Sequence, residues 1–199
     1  MIKKRYMAIA GNLFDLESES IHAIRLRYGL EMFYLGISKL LVVIVLSMVL
    51  GIFWQSIITL AAYNLLRQTA QGLHAKSSVK CMISSLVFFI MLPWTAVHVA
   101  INPYLCIAAA LAIPLLAYLY APSDTAKKPI INKRVRDRLK KKSIIRGLIL
   151  TGLVVVIPDA EIKSLITIGA YVALLYVLPI TYRIMKEERN NYEKFEKLN

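Results

Sequence analysis

Residues 32–66 read MFYLGISKLLVVIVLSMVLGIFWQSIITLAAYNLL, and Lys39 is the one charged side chain in this run. A helix needs about 20 predominantly apolar residues to cross roughly 30 Å of hydrocarbon. The run is therefore too long for one span and long enough for two short ones. We predict a helical hairpin whose two helices meet near 51–55, which makes the chain an all-α integral membrane protein.

Four further apolar stretches complete the prediction, and they form two more hairpins. The stretches are 81–100, 104–120, 144–158 and 164–182. The turn at 101–103 contains a proline, which cannot continue the preceding helix, and the turn at 159–163 is polar. We predict six transmembrane helices in three hairpins. The alternative is four full spans with two partial or re-entrant helices, because 144–158 is short.

The first thirty residues carry apolar side chains at approximately helical spacing among charges, which predicts an amphipathic interfacial helix. Two cysteines are too few for a disulfide framework, and residues 1–30 lack the apolar core of a cleavable signal. The chain is expected to be one membrane domain, 1–199. Its predicted segments are an interfacial helix (1–30), helices one and two (31–66), a polar segment (67–80), helices three and four (81–120), a basic loop (121–143), helices five and six (144–183) and a tail (184–199).

The charge distribution predicts the orientation of the chain. Of the 199 residues, 58% are hydrophobic, the mean hydropathy is +0.58, and 25 Lys and Arg oppose 12 Asp and Glu. The basic residues concentrate before the first span, in 67–80, in 127–142 and in the tail, whereas the opposite turns contain Lys163 alone. Short cytoplasmic loops carry such an excess, so both termini are expected to be cytoplasmic. Long uncharged runs argue against a nucleic-acid partner, and the basic loop suits anionic lipid headgroups.

The segment at 67–81, RQTAQGLHAKSSVKC, is the candidate for chemistry. It places a histidine and a cysteine at the cytoplasmic membrane face, where such a pair can perform nucleophilic catalysis. A neighbouring imidazole, or the N-terminus of a helix, lowers the pKa of a thiol and raises its reactive thiolate fraction. Cys81 is expected at the start of the third helix, where the helix dipole and the charges of Lys76 and Lys80 favour a thiolate. Ser77 or Ser78 is the expected N-cap.

Seven residues along one continuous helix would place His74 and Cys81 about 10.5 Å apart in rise, so a catalytic pair requires a break in the helix. Gly72 and the two serines are candidate break points. The structural alternative makes His74 a loop histidine and Cys81 a small apolar residue at a helix start. Arg67 either binds a substrate carboxylate or is a positive-inside residue at a helix end. Four side chains are candidates for orienting the imidazole of His74, and the sequence does not choose among them. They are Asn64, Gln68, Gln71 and Ser78.

The residues Arg67, Gly72, His74, Ala75, Lys76, Ser77, Ser78 and Cys81, set in a small basic membrane protein, resemble the accessory gene regulator B (AgrB) family. The resemblance implies a cysteine endopeptidase of the bacterial plasma membrane that removes the C-terminal tail of an AgrD-like precursor peptide. It also implies that the enzyme helps to close the thiolactone or lactone ring of a quorum-sensing signal. Cys81 would be the nucleophile and His74 its general base and acid, with Arg67 and Gly72 matching positions that the family needs. The resemblance further implies a homodimer.

Two non-enzymatic functions compete with this hypothesis: a small peptide exporter, in which 67–80 lines a re-entrant gate, and a membrane scaffold. An exporter would tolerate replacement of both Cys81 and His74. No cofactor is expected, because thioester exchange needs no external energy source. A metal is not expected either, because the sequence has no HExxH motif and no His/Cys cluster.

Overall fold

The computed structural model describes residues 21–73, 78–99, 101–125, 129–189 and 191–192. These ranges contain seven helices and no β-strand, and Gln71 and Ser123 form an isolated parallel β-bridge. The all-α prediction is therefore confirmed.

The helices follow one another along the chain with short connections. They are α1 (Ile21–Val49), α2 (Phe53–Ala70), α3 (78–98), α4 (Pro103–Tyr120), α5 (Lys133–Val156), α6 (Ala160–Leu175) and α7 (Pro179–Met185). Helix α3 consists of Ser78–Leu86, a π-helical turn at Val87–Met91 and Leu92–His98. The chain divides into two compact units, Met1–Val42 and Val43–Asn199, and everything described below as a site lies in the second.

The break predicted within the long apolar run is present. Helix α1 ends at Val49 and α2 begins at Phe53. Gly51 between them has a φ of 69°, in the left-handed region that glycine adopts at little cost. The backbone N–H of Ile52 returns to the carbonyl oxygen of Ser47, which closes the turn between the helices.

The predicted boundary at residue 30, between an interfacial helix and the first span, does not appear as a break. Helix α1 continues through this position from residue 21 to residue 49. Residues 21–49 contain no proline to stop the helix. Residues 1–20 of the predicted interfacial helix lie outside the described residues.

Within the described residues, two helices are long and apolar enough to cross a membrane, Cys81–His98 and Pro103–Tyr120, as predicted for the third and fourth spans. The chain bends by 57° between α6 and α7, and the two helices make a third candidate span if they are taken as one bent helix. Six spans are not confirmed. Helix α2 is 18 residues long but falls short in hydropathy, because it carries four strongly polar side chains, those of Gln55, Asn64, Arg67 and Gln68.

Helix α5 begins at Lys133, eleven residues earlier than the fifth span was predicted to begin. Asn132 caps its N-terminus by accepting hydrogen bonds from the backbone N–H groups of Arg134 (3.0 Å) and Val135 (3.4 Å). The cap, together with the good helix propensity of lysine and arginine, extends the helix into the predicted basic loop. Much of the positive charge expected in a loop at 121–143 is therefore displayed on a helix.

Close backbone approaches hold α2, α4, α5 and α6 around one core of small and branched side chains. A Cβ added at Gly169 of α6 would lie 2.4 Å from the carbonyl oxygen of Thr59 on α2. A Cβ added at Gly147 of α5 would lie 3.2 Å from the Cα of Pro114 on α4. Small residues permit this proximity, which van der Waals packing between membrane helices requires. The core residues include Ala62, Leu66, Ala70, Ala110, Ile113, Ala117, Leu150, Val154, Ala170, Ala173 and Leu174.

Candidate active site

Helix α2 ends at Ala70, and the three residues that follow, 71–73, leave the helical conformation in what we call the 71–73 turn. The φ angles of Gln71 and Gly72 are 56° and 98°, both in the left-handed region. The guanidinium of Arg67, on the last turn of α2, donates hydrogen bonds to the carbonyl oxygens of all three turn residues. These oxygens lie just beyond the C-terminus of α2, where a positive charge is stabilised by the helix dipole. Arg67 therefore fixes the shape of the turn. Neither of the two interpretations offered from the sequence, binding of a substrate carboxylate or a positive-inside role, included these contacts.

Gly72 occupies a position that admits no side chain. A Cβ there would lie 2.3 Å from the carbonyl oxygen of Tyr176 and 2.8 Å from Nη1 of Arg67. The backbone N–H of Gly72 donates to the carbonyl oxygen of Ser123 (2.9 Å), and that of Leu73 donates to the carbonyl oxygen of Tyr176 (3.0 Å). The 71–73 turn is thus held by Arg67 and by two main-chain contacts from distant parts of the chain.

Cys81 lies in the first turns of α3 and is a free, half-buried cysteine. The helix begins at Ser78 and not at Cys81 as predicted, so the cysteine is its fourth residue. The backbone N–H groups of the first four helical residues have no partner within the helix, and this end of the helix is its positive pole. The carbonyl oxygen of Cys81 accepts a hydrogen bond from Oγ of Ser85 (2.8 Å).

Two tyrosines connect Arg67 to α3, the helix that carries Cys81. The guanidinium of Arg67 lies 4.9 Å from the ring centroid of Tyr176, and the ring centroids of Tyr63 and Tyr176 are 6.3 Å apart. Both rings also pack against α3, because the centroid of Tyr63 lies 5.0 Å from that of Phe89 and the centroid of Tyr176 lies 6.0 Å from that of Phe88. Arg67, which holds the 71–73 turn, is therefore joined through these tyrosines to the helix of Cys81.

Of the eight predicted site residues, Arg67 and Gly72 adjoin each other at the 71–73 turn, and Cys81 lies on α3. His74, Lys76 and Ser77 lie outside the described residues, as do the side chains of Ser78 and Lys80. Helix α2 ends at Ala70, and residues 71–73 are not helical. Residues 74–77 lie outside the described residues, so the break between His74 and Cys81 stays a prediction.

The other side chains considered from the sequence are placed as follows. Gln68 accepts a hydrogen bond from Arg146 (3.1 Å), and Asn64 is exposed. Cys106 is buried in the core, and His98 is exposed at the other end of α3 from Cys81. Across the described ranges, no group of three or more His, Cys, Asp or Glu side chains is close enough to hold a metal ion.

An open, mostly apolar groove of about 420 Å³ begins beside the turn. Gln71 lines it together with the first turns of α5 and the segment before them. The remaining lining residues are Pro129, Ile130, Ile131, Asn132, Val135 and Leu139. Grooves of this size and polarity accommodate small ligands or short stretches of peptide.

Sequence reasoning missed the residues that surround the turn. Tyr63 precedes Arg67 by four residues on the same helix face, a spacing that predicts side-chain contact and was available from the sequence. Tyr176 and Ser123 lie more than fifty residues from the turn and contact it mainly through their carbonyl oxygens. No side-chain pattern signals such main-chain contacts.

Comparison with known proteins adds independent information on the family. The family model "Accessory gene regulator B" matches residues 3–179. A putative AgrB-like protein of Clostridium acetobutylicum is 36% identical over 182 residues, covering 92% of this chain and 87% of that protein. A putative AgrB-like protein of Listeria innocua is 34% identical over 173 residues, covering 87% and 85%. Accessory gene regulator protein B of Staphylococcus epidermidis is 30% identical over 179 residues, covering 89% of each chain.

No solved structure matches the chain. The resemblance carried by the 67–81 motif is confirmed by the family match over most of the chain and by the curated relatives. The helices of the structure, two of them apolar and long enough to cross a bilayer, agree with a membrane protein. The chain therefore belongs to the accessory gene regulator B family, whose members act in the quorum-sensing systems of that name.

Proposed function

We propose that the chain is a membrane-embedded cysteine endopeptidase that cleaves the C-terminal tail from an AgrD-like precursor peptide and promotes cyclisation of the remaining peptide. Cys81 is the nucleophile and His74 the general base and acid. The observation that carries the proposal is the chain of contacts in which Arg67 links the 71–73 turn, the residues immediately before His74, to tyrosines that pack on α3, the helix of Cys81.

The reaction proceeds through a thioester. His74 accepts the proton of the Cys81 thiol, and the sulfur attacks the scissile carbonyl carbon. The C–N bond breaks as the proton passes from His74 to the leaving amine, and the C-terminal tail departs. A thiol or hydroxyl within the bound peptide then attacks the thioester and releases Cys81. Thioester exchange is close to isoenergetic, so the second step depends on positioning and on exclusion of water.

Arg67 and Gly72 have supporting roles in this proposal. Arg67 uses its planar group of N–H donors to hold three carbonyl oxygens of the turn, which leaves it engaged within the protein. Gly72 allows the turn to approach Tyr176 without a steric clash. Charge for attracting an acidic peptide is available instead on α5, whose exposed residues Lys133, Arg134 and Arg138 adjoin the apolar groove.

The proposal includes the setting of the enzyme. The excess of Lys and Arg in the segments at 67–80, 127–142 and 183–197 supports a multi-pass protein of the bacterial plasma membrane with both termini in the cytoplasm. We also propose that these segments contact anionic headgroups of the membrane. The chain is further proposed to assemble into a homodimer.

The decisive experiment measures cleavage of a precursor peptide by membranes that contain the wild-type chain, Cys81→Ala, His74→Ala or the control Cys106→Ala. Cys106 is the only other cysteine and is buried in the core. We expect Cys81→Ala and His74→Ala to abolish the cleaved peptide seen by mass spectrometry, and Cys106→Ala to retain it. Equal insertion of all variants is checked on blots. Cleavage by Cys81→Ala would overturn the proposal.

The same samples address the alternative of a peptide exporter without proteolytic activity. The 57° bend between α6 and α7 is a feature that broken helices of transporters share. An exporter would move intact peptide out of cells with either variant, whereas the proposed enzyme would yield no extracellular product from Cys81→Ala.

A further inference from the structure

Ser123 joins the 71–73 turn to a loop between α4 and α5. The residue is fully buried, and its backbone N–H donates to the carbonyl oxygen of Ala70 (3.1 Å). Its own carbonyl oxygen accepts from the N–H of Gly72 (2.9 Å). Ser123 therefore contacts the chain on both sides of Gln71, so any shift of this loop moves the turn.

The side chain of Ser123 makes contacts with the C-terminal part of the chain. Its Oγ lies within hydrogen-bond distance of the carbonyl oxygens of Tyr120 (3.0 Å) and Val177 (3.2 Å). The same oxygen accepts a hydrogen bond from Nε of Arg189 (3.1 Å), and Nη2 of Arg189 donates to the carbonyl oxygen of Tyr120 (3.0 Å). One arginine of the tail thus holds both the end of α4 and the serine that contacts the turn.

Asp124, the next residue, binds the tail a second time. Its side chain is 4% exposed and accepts hydrogen bonds from the backbone N–H groups of Asn191 (2.9 Å) and Tyr192 (3.1 Å). The hydroxyl of Tyr182 donates to the carbonyl oxygen of Asp124 (2.8 Å). A buried carboxylate that loses its donors is strongly destabilised, so release of the tail would displace this loop.

We propose that Arg189, Asn191 and Tyr192, which we call the tail clasp, position the active site by holding Ser123 and Asp124 against the 71–73 turn. The proposal rests on the proposed function, in which the turn leads into His74 and is linked through Arg67 and Tyr176 to α3, the helix of Cys81. The tail is then a working part of the enzyme, and Ser123, Asp124 and Arg189 are positioning residues that do not touch the substrate.

The test compares Arg189→Gln and Asp124→Asn with the wild-type chain. Arg183→Gln is the matched control, because Arg183 is an exposed arginine of α7 and the substitution removes the same charge. Arg189→Lys keeps the charge but loses the planar donor geometry that reaches Ser123 and Tyr120 together, so it should not restore activity. Each variant is purified in detergent, its folded fraction is determined by gel filtration, and all rates are expressed per folded molecule.

We expect Arg189→Gln to lower kcat for precursor cleavage about tenfold, which corresponds to about 1.4 kcal/mol, with KM changed less than about twofold. The rate of Cys81 alkylation by iodoacetamide, followed from pH 5 to 10, should shift toward the profile of His74→Ala. Arg183→Gln should match the wild type in both measurements. A folded Arg189→Gln with wild-type kcat and alkylation profile would overturn the inference, and so would a variant that is less stable but equally active per folded molecule.

Failure of the inference can be distinguished from failure of the proposed function. If wild-type alkylation is indifferent to His74→Ala and Cys81→Ala still cleaves the precursor, the endopeptidase proposal is wrong. If both of those controls behave as expected and only the Arg189 and Asp124 variants match the wild type, the tail clasp has no positioning role. A changed rate of Cys81 alkylation in Arg189→Gln would support the positioning role of the tail clasp in either case, because alkylation is measured without the precursor peptide.

Discussion

At the scale of single residues, the site depends on atoms that cannot be exchanged for similar ones. Gly72 combines a positive φ with a Tyr176 carbonyl oxygen where a Cβ would lie, and Arg67 satisfies three carbonyl oxygens with one side chain. The resemblance implied that Arg67 and Gly72 are both needed, but it did not show which contacts they make. Its proposals for Arg67 concerned substrate and topology, because a side chain that bonds the backbone a few residues ahead leaves no pattern in residue types.

Gly72→Ala should lower the rate of precursor cleavage by tenfold or more. The added methyl group forces the turn away from Tyr176, and the left-handed backbone adds strain of about 1–3 kcal/mol. Gly51→Ala is the control, because Gly51 also has a positive φ but has no atom within 4 Å of an added Cβ. Cleavage and thermal unfolding are measured for both variants. Equal losses of activity in the two would show that the contact with Tyr176 is irrelevant.

At the scale of helices, apolar runs and breaking residues predicted most of the elements. The breaks at Gly51 and before Pro103 are where the sequence places them, because glycine and proline act locally. The early start of α5 was missed, because lysine and arginine were interpreted as a loop although they favour helices once Asn132 supplies a cap. The contact between α2 and α6 was not predicted, because two small residues facing each other across 110 positions give no local signal.

Gly169→Ala should destabilise the chain with little direct effect on chemistry. The new methyl group would lie 2.4 Å from the carbonyl oxygen of Thr59 and 2.9 Å from Cβ of Ala62, so α2 and α6 must separate. Overpacking of this kind costs about 1–3 kcal/mol. The control is Gly152→Ala, on α5, where an added Cβ meets no atom within 4 Å and helix propensity improves. Thermal unfolding in detergent should give a lower midpoint for Gly169→Ala alone, and a midpoint equal to that of the wild type would contradict the tight packing.

At the scale of the whole molecule, class and family followed from hydropathy, charge and the 67–81 motif, whereas the number of spans did not. Apolar length alone predicts six spans, but in the part of the chain that the structure describes two helices are long and apolar enough to cross a membrane, or three spans if α6 and α7 are taken together. Polar and small residues on α2 face its protein neighbours, and hydropathy cannot distinguish such a buried face from one exposed to water. Membrane insertion of α2 and α5 therefore has to be measured.

Single-cysteine labelling tests the orientation of the whole chain. In a background in which both native cysteines are replaced by alanine, Pro158→Cys and Lys186→Cys place the probe in exposed turns after α5 and after α7. A membrane-impermeant maleimide should label Pro158→Cys in intact cells and Lys186→Cys after permeabilisation, because positive charge accumulates on the side of Lys186. The reverse pattern would invert the topology, and labelling of both in intact cells would mean that α6 and α7 do not cross together.

The hydrogen bonds that shape the 71–73 turn end on main-chain atoms, and this has an evolutionary consequence. Carbonyl oxygens are present whatever residue occupies positions 71 and 73, so mutation at Gln71 leaves every one of these acceptors in place. The side chain of Gln71 lines the apolar groove. A φ of 56° disfavours all residues with a side chain relative to glycine, and β-branched residues most of all. Among the residues that tolerate this backbone, evolution can therefore change the wall of the groove at position 71 while the hydrogen bonds of the turn are inherited unchanged.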